Sequence, residues 1–268
     1  MRRFAGETIW ITGASSGIGK GLALAFAAEG ARVVLSGRNR AALDAVAADC
    51  PRAVVMPFEA TDLDSLPGIV AAVEQATGGI TMLVNNAGIS QRSLALDTQF
   101  QVYRTIMEVD FFAPLRLTQL VLPAMVARGC GRIVNNASVA GKVGSPLRTG
   151  YCAAKHALVG WSDALRAETD QYGIKVHVLT PGFVATGIAD NALTGDGSVK
   201  GAGDDPVAGG ISITEAAQQI LDGIAGDVPE IPVGRAGAAE MALLDLKRQD
   251  PEACFRLMAG MAPKVSRH

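Results

Sequence analysis

The stretch TGASSGIG at residues 12–19 decides the fold of this chain. It starts at the end of the strand-like run TIWIT and leads directly into the helical run KGLALAFAAEG. Glycines at 13, 17 and 19 allow a tight turn and bring a pyrophosphate close to backbone amides at a helix N-terminus. The spacing GxxxGxG differs from the general GxGxxG fingerprint, but strand, turn and helix are in the required order. The predicted dinucleotide-binding loop consists of Gly13, Ser15, Ser16, Gly17, Ile18 and Gly19.

Beyond this loop, short apolar or β-branched runs alternate with longer stretches of helical period. The predicted strands cover residues 8–12, 32–35, 53–56, 82–84, 132–135, 175–179 and 230–233. The predicted helices cover residues 17–29, 41–49, 64–76, 103–128, 151–172 and about 215–224. Such alternation is typical of βαβ units. It predicts an α/β Rossmann fold, a doubly wound parallel sheet of about seven strands with helices on both faces.

No repeat, charge block or linker divides the chain, so we expect one dinucleotide-binding and catalytic domain over residues 1–268. Residues 187–210 are rich in glycine and poor in large apolar side chains, which predicts a flexible loop over the substrate. Residues 234–268 predict a helical tail with an amphipathic helix pair. This tail could be a lid, a dimer contact or a segment packed on the core.

The composition argues against several classes of function. Of the 268 residues, 49% are hydrophobic but only 5% are aromatic, as the aliphatic core of a helix-covered parallel sheet requires. The net charge of −2 and the lack of a basic block argue against nucleic acid and anionic lipid as partners. Scattered cysteines and histidines predict reduced thiols and no metal site. The N-terminus enters a strand at once and no apolar run reaches about 18 residues, so we expect a cytoplasmic protein without a transmembrane segment.

The end of the second predicted strand indicates which dinucleotide would bind. A dinucleotide fold usually carries an acid there for the ribose 2′-hydroxyl, whereas this chain has Gly37 followed by Arg38. Glycine leaves room for a 2′-phosphate and a guanidinium is suited to bind it, so we predict NADP(H) rather than NAD(H). A merely solvated Arg38 is the alternative. After the third strand, Glu59 or Asp62 could meet the adenine amino group.

The run YCAAK at residues 151–155 places a tyrosine and a lysine one helical turn apart. Both side chains then share one helix face, and an ammonium near a phenol favours the phenolate. Ser138 lies thirteen positions upstream of Tyr151, after a predicted strand, and its hydroxyl could hold a carbonyl oxygen against the phenol. Together these residues predict proton transfer coupled to hydride transfer. The same spacing also occurs on ordinary amphipathic helices.

With these motifs together, the chain resembles the short-chain dehydrogenase/reductase (SDR) family from about residue 7 to residue 233. The motifs are TGASSGIG at 12–19, NNAG at 85–88, Ser138 after RIVNNA, YCAAK at 151–155 and PGFVAT at 181–186. The resemblance implies that Tyr151 is the acid/base, that Ser138 positions the substrate oxygen, and that Lys155 binds the ribose and lowers the tyrosine pKa. It further implies cofactor contacts at Glu59, Ala60, Asn86, Ala87, Gly88, Pro181, Gly182, Val184 and Thr186.

Two positions depart from the family pattern. Where members usually have an asparagine that supports a water relay to the lysine, this chain has Asp110. Aspartate lacks the amide donor and brings a charge near Lys155. We count Asp110 among the catalytic residues, with a tolerated near-isosteric change as the alternative to an altered relay. Glu59 stands where an aspartate is usual, which changes the reach of the carboxylate by one methylene.

A finer resemblance concerns the substrate. The stretches AGISQR, SPLRTGYCAAKHA and LRAETDQYGIKVHVLTPGF are similar to dehydrogenase/reductase member 7-like proteins, neighbours of the 11β-hydroxysteroid dehydrogenases. This implies a lipophilic carbonyl compound. Candidate substrate residues beside the catalytic group are Ser90, Val139, Ala140, Arg148 and Phe183. Most of this set is apolar, whereas Arg148 could meet a carboxylate or phosphate or stay solvated.

The sequence therefore predicts an NADP(H)-dependent oxidoreductase that interconverts a carbonyl and a secondary alcohol on a hydrophobic small molecule. The alternatives are a non-catalytic dinucleotide-binding or sensing homologue, an NAD(H)-dependent alcohol dehydrogenase, and an epimerase or dehydratase on the same fold. The resemblance also implies a homodimer or homotetramer, formed through the two long predicted helices.

Overall fold

Seven strands form one parallel sheet in the order β3-β2-β1-β4-β5-β6-β7. The computed structural model of the chain describes residues 2–203 and 206–263. The strands are β1 Thr8–Thr12, β2 Arg32–Ser36, β3 Val54–Val55, β4 Met82–Asn85, β5 Gly131–Asn136, β6 Ile174–Pro181 and β7 Glu230–Val233. Strand order reverses between β1 and β4, and the crevice outside the carboxyl ends of strands at such a point is where ligands bind.

Helices cover both faces of the sheet, which confirms the predicted Rossmann fold. They are α1 Gly17–Ala28, α2 Arg40–Ala47, α3 Leu66–Thr77, α4 Phe100–Met107, α5 Ala113–Arg128, α6 Thr149–Thr169, α7 Ile213–Ala225, α8 Ala239–Gln249 and α9 Pro251–Met261. Ile9 and Ile11 of β1 pack under α1 and α7, whereas Trp10 points to the opposite face, under α3, α5 and α6. Successive side chains of a strand point to opposite faces, so a wholly buried run such as TIWIT serves two cores.

The segment around residue 110 differs from the predicted single helix at 103–128. Helix α4 starts at Phe100 rather than at residue 103, and a π-helical turn at Glu108–Phe112 separates α4 from α5. A π turn carries one residue more than an α turn, which rotates the side chains that follow it. Here the turn directs Asp110 into the interior, where the exposed fraction of its side chain is 0%.

The same segment, Phe100–Arg128, is long and apolar enough to cross a membrane by length and composition alone, which the sequence analysis did not anticipate. Core helices of soluble proteins pass the same test, so the indication is weak. In this fold α5 packs against α3 and against strands β4 and β5. The segment therefore forms part of the covering of the sheet.

Residues 187–203 of the predicted substrate loop run beside the segment that follows β4. The Leu193 amide donates to the Ser90 carbonyl at 2.8 Å, and the Arg92 amide donates to the Leu193 carbonyl at 2.8 Å. The flexibility of this loop stays a prediction, and its residues 204 and 205 lie outside the described residues. The tail forms the predicted helix pair as α8 and α9, with residues 264–268 also outside the description.

Candidate active site

The glycine loop forms a cradle with no side chain inside it. A Cβ at Gly19 would fall on the Gly13 carbonyl oxygen, and one at Gly13 would come within 2.9 Å of the Ala87 Cα. Gly13 and Gly17 also have φ angles of +66° and +54°, which favour glycine. The Asn86 side chain closes the turn by donating to the Thr12 carbonyl at 2.9 Å. This cradle at the start of α1 fits the pyrophosphate of a dinucleotide.

A cavity of about 380 Å³ opens at the carboxyl ends of the strands, beside the cradle. Much of the set predicted from the sequence meets there. The predicted residues that line it are Ile18, Asn86, Gly88, Ser90, Ser138, Val139, Ala140, Arg148, Tyr151, Lys155, Pro181, Gly182, Phe183, Val184 and Thr186. One cavity thus brings together predicted cofactor contacts and predicted substrate contacts.

The remaining predicted cofactor residues lie around the β1–α1 loop, outside this cavity. Ala60 and Ala87 line a second, much smaller cavity together with Phe58 and Leu66. A Cβ at Gly37 would come 3.7 Å from the Ser15 hydroxyl, an ordinary contact, so the space there is not closed by a neighbouring atom. These positions continue the cradle towards the adenosine half of a dinucleotide.

Arg38 lies at the surface near the carboxyl end of β2. Its side chain is 78% exposed, and its guanidinium lies 3.9 Å from the Glu59 carboxylate. Glu59 also accepts a hydrogen bond from the Thr61 hydroxyl at 3.1 Å. Asp62, the other acid considered for adenine, instead accepts from the Ser65 amide at 3.4 Å, at the N-terminus of α3. Arg38 is thus accessible to an anion.

Tyr151 and Lys155 project from one face of α6 into the cavity. The Lys155 ammonium lies 5.6 Å from the centroid of the Tyr151 ring and donates to the Asn136 carbonyl at 2.9 Å. Ser138 lies just beyond β5 and lines the same cavity as the phenol, and its hydroxyl donates to the Pro181 carbonyl at 3.4 Å. Its hydroxyl also accepts from the Ala140 amide at 3.1 Å, which fixes the side chain at the strand end. The cavity therefore brings a hydroxyl, a phenol and an ammonium together.

Gln91 is a positioning residue that sequence reasoning missed. Its side chain is fully buried, and its carbonyl oxygen accepts from the Gly150 amide at 2.7 Å, in the first turn of α6. Just before that helix, Leu147 adopts a φ of +66°, a conformation that is costly for a residue other than glycine. A glutamine in a loop carries no sequence signal of burial, so only the fold reveals that Gln91 anchors the start of the helix that carries Tyr151.

Asp110 does not line the cavity but lies behind Lys155. Its Oδ2 is 3.2 Å from the Lys155 ammonium, and its Oδ1 accepts from the Ile89 amide at 2.8 Å. The sequence counted Asp110 among the catalytic residues. The structure places its carboxylate against the lysine, outside the residues that line the cavity, and its catalytic role stays a prediction.

Burial and charge shift the pKa values of this group. Burial raises the pKa of the Tyr151 phenol; Lys155 opposes the rise and Asp110 adds to it. Burial alone would lower the pKa of the Lys155 ammonium, but Asp110 and Tyr151 raise it above its ordinary value. Burial also raises the pKa of the Asp110 carboxyl, against Lys155 and the Ile89 amide. These effects together favour the neutral form of the Tyr151 phenol.

Helices α8 and α9 form the outer wall of the cavity. Their lining residues are Ala239, Glu240, Leu243, Leu257, Met258 and Met261. Met241 anchors α8 to the strand ends, because its sulfur fills the space that a Cβ would need at Gly182 and at Gly234. Of the three roles left open for the tail, packing on the fold is seen, with Cys254 and Met258 against Val143, whereas the lid and the dimer contact stay predictions. The spacing of apolar residues in the tail predicted that one face of its helices is packed, but not which residues that face contacts.

No metal-binding cluster stands beside this cavity. Within residues 2–203 and 206–263, no group of three or more His, Cys, Asp or Glu side chains could hold a metal ion. The cysteines at 50, 130, 152 and 254 are free.

Comparison with known proteins agrees with this geometry. Residues 7–196 match the profile of the family described as short chain dehydrogenase. The chain is similar to the dehydrogenase/reductase SDR family protein 7-like of Anopheles gambiae, 39% identical over 274 residues that cover 99% of this chain and 86% of the relative.

Two solved short-chain dehydrogenases share the fold, each at 24% identity. The one from Burkholderia cenocepacia, in complex with NADP, has a TM-score of 0.79 and aligns over 95% of this chain and 98% of its own. The one from Burkholderia phymatum, in complex with NAD, has a TM-score of 0.82 and aligns over 100% of this chain and 99% of its own. A family match over most of the length, together with 39% identity to a relative covered almost throughout, means that the chain belongs to the short-chain dehydrogenase/reductase family.

Proposed function

We infer that the chain is an NADP(H)-dependent oxidoreductase that interconverts a carbonyl and a secondary alcohol on a hydrophobic small molecule. The observation that carries this proposal is the meeting of Ser138, Tyr151 and Lys155 at one cavity, between the glycine cradle and an apolar wall. A nicotinamide dinucleotide held by the cradle, by Asn86 and Gly88, and by Val184 and Thr186 would supply or accept the hydride.

The chain's own residues handle the proton. In the reductive direction the Tyr151 phenol donates its proton to the carbonyl oxygen of the substrate, and the Ser138 hydroxyl donates a hydrogen bond to the same oxygen. Lys155 stabilises the phenolate that remains, because its ammonium is held close to the ring. In the oxidative direction the phenolate accepts the hydroxyl proton of the alcohol.

A screen of carbonyl compounds tests this function. The purified chain is mixed with NADPH and a panel of hydrophobic ketones and keto-steroids, and the loss of NADPH absorbance is followed. We expect turnover with at least one lipophilic ketone and formation of the matching alcohol. Binding of NADPH without turnover on any carbonyl or alcohol in the panel would favour a dinucleotide-binding protein without catalysis.

The proposed preference for NADP(H) rests on the end of β2. An acid at this position would repel a 2′-phosphate, whereas Gly37 leaves space and Arg38 presents an exposed guanidinium beside it. A charge-assisted hydrogen bond between a guanidinium and a phosphate is among the stronger contacts that a surface site can make. The two dinucleotides named above for solved relatives differ, so cofactor choice has to be measured for this chain.

Arg38→Ala is expected to weaken NADPH binding by about 10- to 100-fold and to leave NADH binding unchanged, because only NADPH carries the 2′-phosphate. The measurement is a titration of each dinucleotide by the change in protein fluorescence. Arg104→Ala serves as the matched control, since this arginine is also exposed but lies on α4. Tighter binding of NADH than of NADPH by the unaltered chain would refute the proposed preference.

The proposed substrate class rests on the outer wall of the cavity. Leu243, Leu257 and Met261 present apolar surface from α8 and α9 to the cavity, which Val139 and Phe183 also line. Pockets of this kind bind the hydrophobic body of a ligand, while a few polar groups fix its reacting end. A bulky lipophilic carbonyl compound would contact this wall, whereas a small ketone would reach only the catalytic end.

The double variant Leu257→Ala/Met261→Ala is expected to lower kcat/KM for bulky ketones by about 5- to 30-fold, because it removes apolar contact area, and to spare small ketones. Both side chains are exposed at the mouth, so folding should not suffer. Phe255→Ala is the control, since Phe255 is exposed on the same helix but does not line the cavity. An equal loss for bulky and small ketones would contradict this role of the wall.

A further inference from the structure

We propose that Asp110 is an internal counter-ion of Lys155, and that this pair keeps Tyr151 a neutral phenol at neutral pH. The chain would then act as a carbonyl reductase and oxidise alcohols only in alkaline solution. The consequence of this inference for catalysis rests on the proposed function. The charge state of Tyr151 does not, because it can be measured without any substrate.

The geometry of the pair is that of a buried ion pair. The carboxylate and the ammonium are 3.2 Å apart, with exposed fractions of 0% for Asp110 and 5% for Lys155. Gly88 packs directly over the pair, because a Cβ at this position would lie 3.3 Å from the Lys155 Nζ and 3.4 Å from an Asp110 oxygen. The Ile89 amide donates to the other carboxylate oxygen and fixes its orientation. Water has little access to screen these charges.

The charges of Lys155 and Asp110 act together on the ionisation of the Tyr151 phenol. Within the part of the chain that the structure describes, three charged groups act on Tyr151: Lys155 on its own helix, Asp110 from the π turn, and Arg148 from the residues before α6. Lys155 and Arg148 favour the phenolate, whereas Asp110 disfavours it. An asparagine at position 110 would leave the lysine charge uncompensated, and the phenolate would form more readily. Asp110 therefore opposes the activation that Lys155 gives.

The direction of the reaction follows from the protonation state. Reduction needs a protonated phenol as donor, and oxidation needs a phenolate as acceptor. Because burial and Asp110 both raise the pKa of Tyr151, the phenol stays protonated to higher pH than Lys155 alone would allow. Reduction is then supported throughout the neutral range, and oxidation increases as pH rises through the tyrosine pKa.

The test is a pH titration of Tyr151 in the unaltered chain and in Asp110→Asn, followed by the ultraviolet absorbance of tyrosinate without substrate. The chain has three tyrosines, at 103, 151 and 172, so subtracting the curve of the matching Tyr151→Phe protein isolates the one of interest. We expect the midpoint to fall by about one pH unit or more in Asp110→Asn. The pH at which alcohol oxidation reaches half its maximum should fall equally, with about a tenfold gain at neutral pH.

Asp163→Asn is the control. Asp163 is an exposed acid on α6, the helix that carries Tyr151, and it pairs with Arg166, so loss of its charge should leave the Tyr151 midpoint unchanged. Should Asp110→Asn not fold, Asp110→Ser makes the same change of charge in a smaller side chain. An unmoved Tyr151 midpoint overturns the inference, even if turnover falls. A lowered midpoint in a protein that reduces no carbonyl compound supports the charge inference and counts against the proposed function, so the two failures are distinguishable.

Discussion

Tyr151→Phe is expected to lower the rate of carbonyl reduction by roughly 100- to 10,000-fold, the range over which a positioned general acid usually contributes. The phenol is the group in the cavity that can give a proton at neutral pH, since the Lys155 ammonium is engaged with the Asn136 carbonyl and with Asp110. Phenylalanine keeps the ring and its packing against Ala140 and Cys152, so the fold should remain intact. The affinity for NADPH should change little.

Single-turnover kinetics with NADPH and a ketone substrate would measure this loss, and a fluorescence titration would measure the affinity. Tyr172→Phe is the matched control, because Tyr172 is exposed in the short turn that follows α6. Equal turnover before and after substitution of Tyr151 would remove it from the chemistry. Loss of NADPH binding along with turnover would instead assign Tyr151 to the binding of the cofactor.

The strands of this fold are largely predictable from sequence because the sheet is covered on both faces. A strand buried on both sides must be a short apolar run, and the predicted strand at 8–12 has the same bounds as β1, whose five residues are all buried. Helix ends are less predictable. Residues 41–49 were expected as a helix, but α2 starts at Arg40 because Asn39 caps it by accepting from the Ala42 amide.

Parts of the site depend on contacts between distant segments and carry little local signal. The π turn is a change of hydrogen-bonding pattern that leaves the apolar spacing almost unaltered, so it could not be predicted, although the family resemblance had placed the charge of Asp110 near Lys155. Gln91 is a polar residue whose burial depends on where α6 begins. The motif residues, by contrast, were predictable, because backbone geometry at a cradle and chemistry at a cavity restrict the choice of residue.

The cradle gives the second large effect. Gly19→Ala is expected to weaken dinucleotide binding more than about 100-fold and to destabilise the fold by about 1 to 3 kcal/mol, the usual cost of forcing atoms into a filled site. The new methyl group would fall on the Gly13 carbonyl oxygen and on the Asn86 amide. Gly13 has no room to move away from the new methyl group, since its own Cα packs against the Ala87 backbone. The turn must open, and its amides would lose the positions that a pyrophosphate needs.

Gly160→Ala separates this effect from a general response to alanine. Gly160 lies within α6, and a Cβ there meets no atom within 4 Å. That variant should gain about 0.5 to 1 kcal/mol of stability, because alanine loses less conformational entropy than glycine in a helix. Thermal unfolding and NADPH titration of both variants give the comparison. If Gly19→Ala bound NADPH as well as Gly160→Ala does, the pyrophosphate site would have to lie away from residues 12–19, and the family's cradle would not be the one in use here.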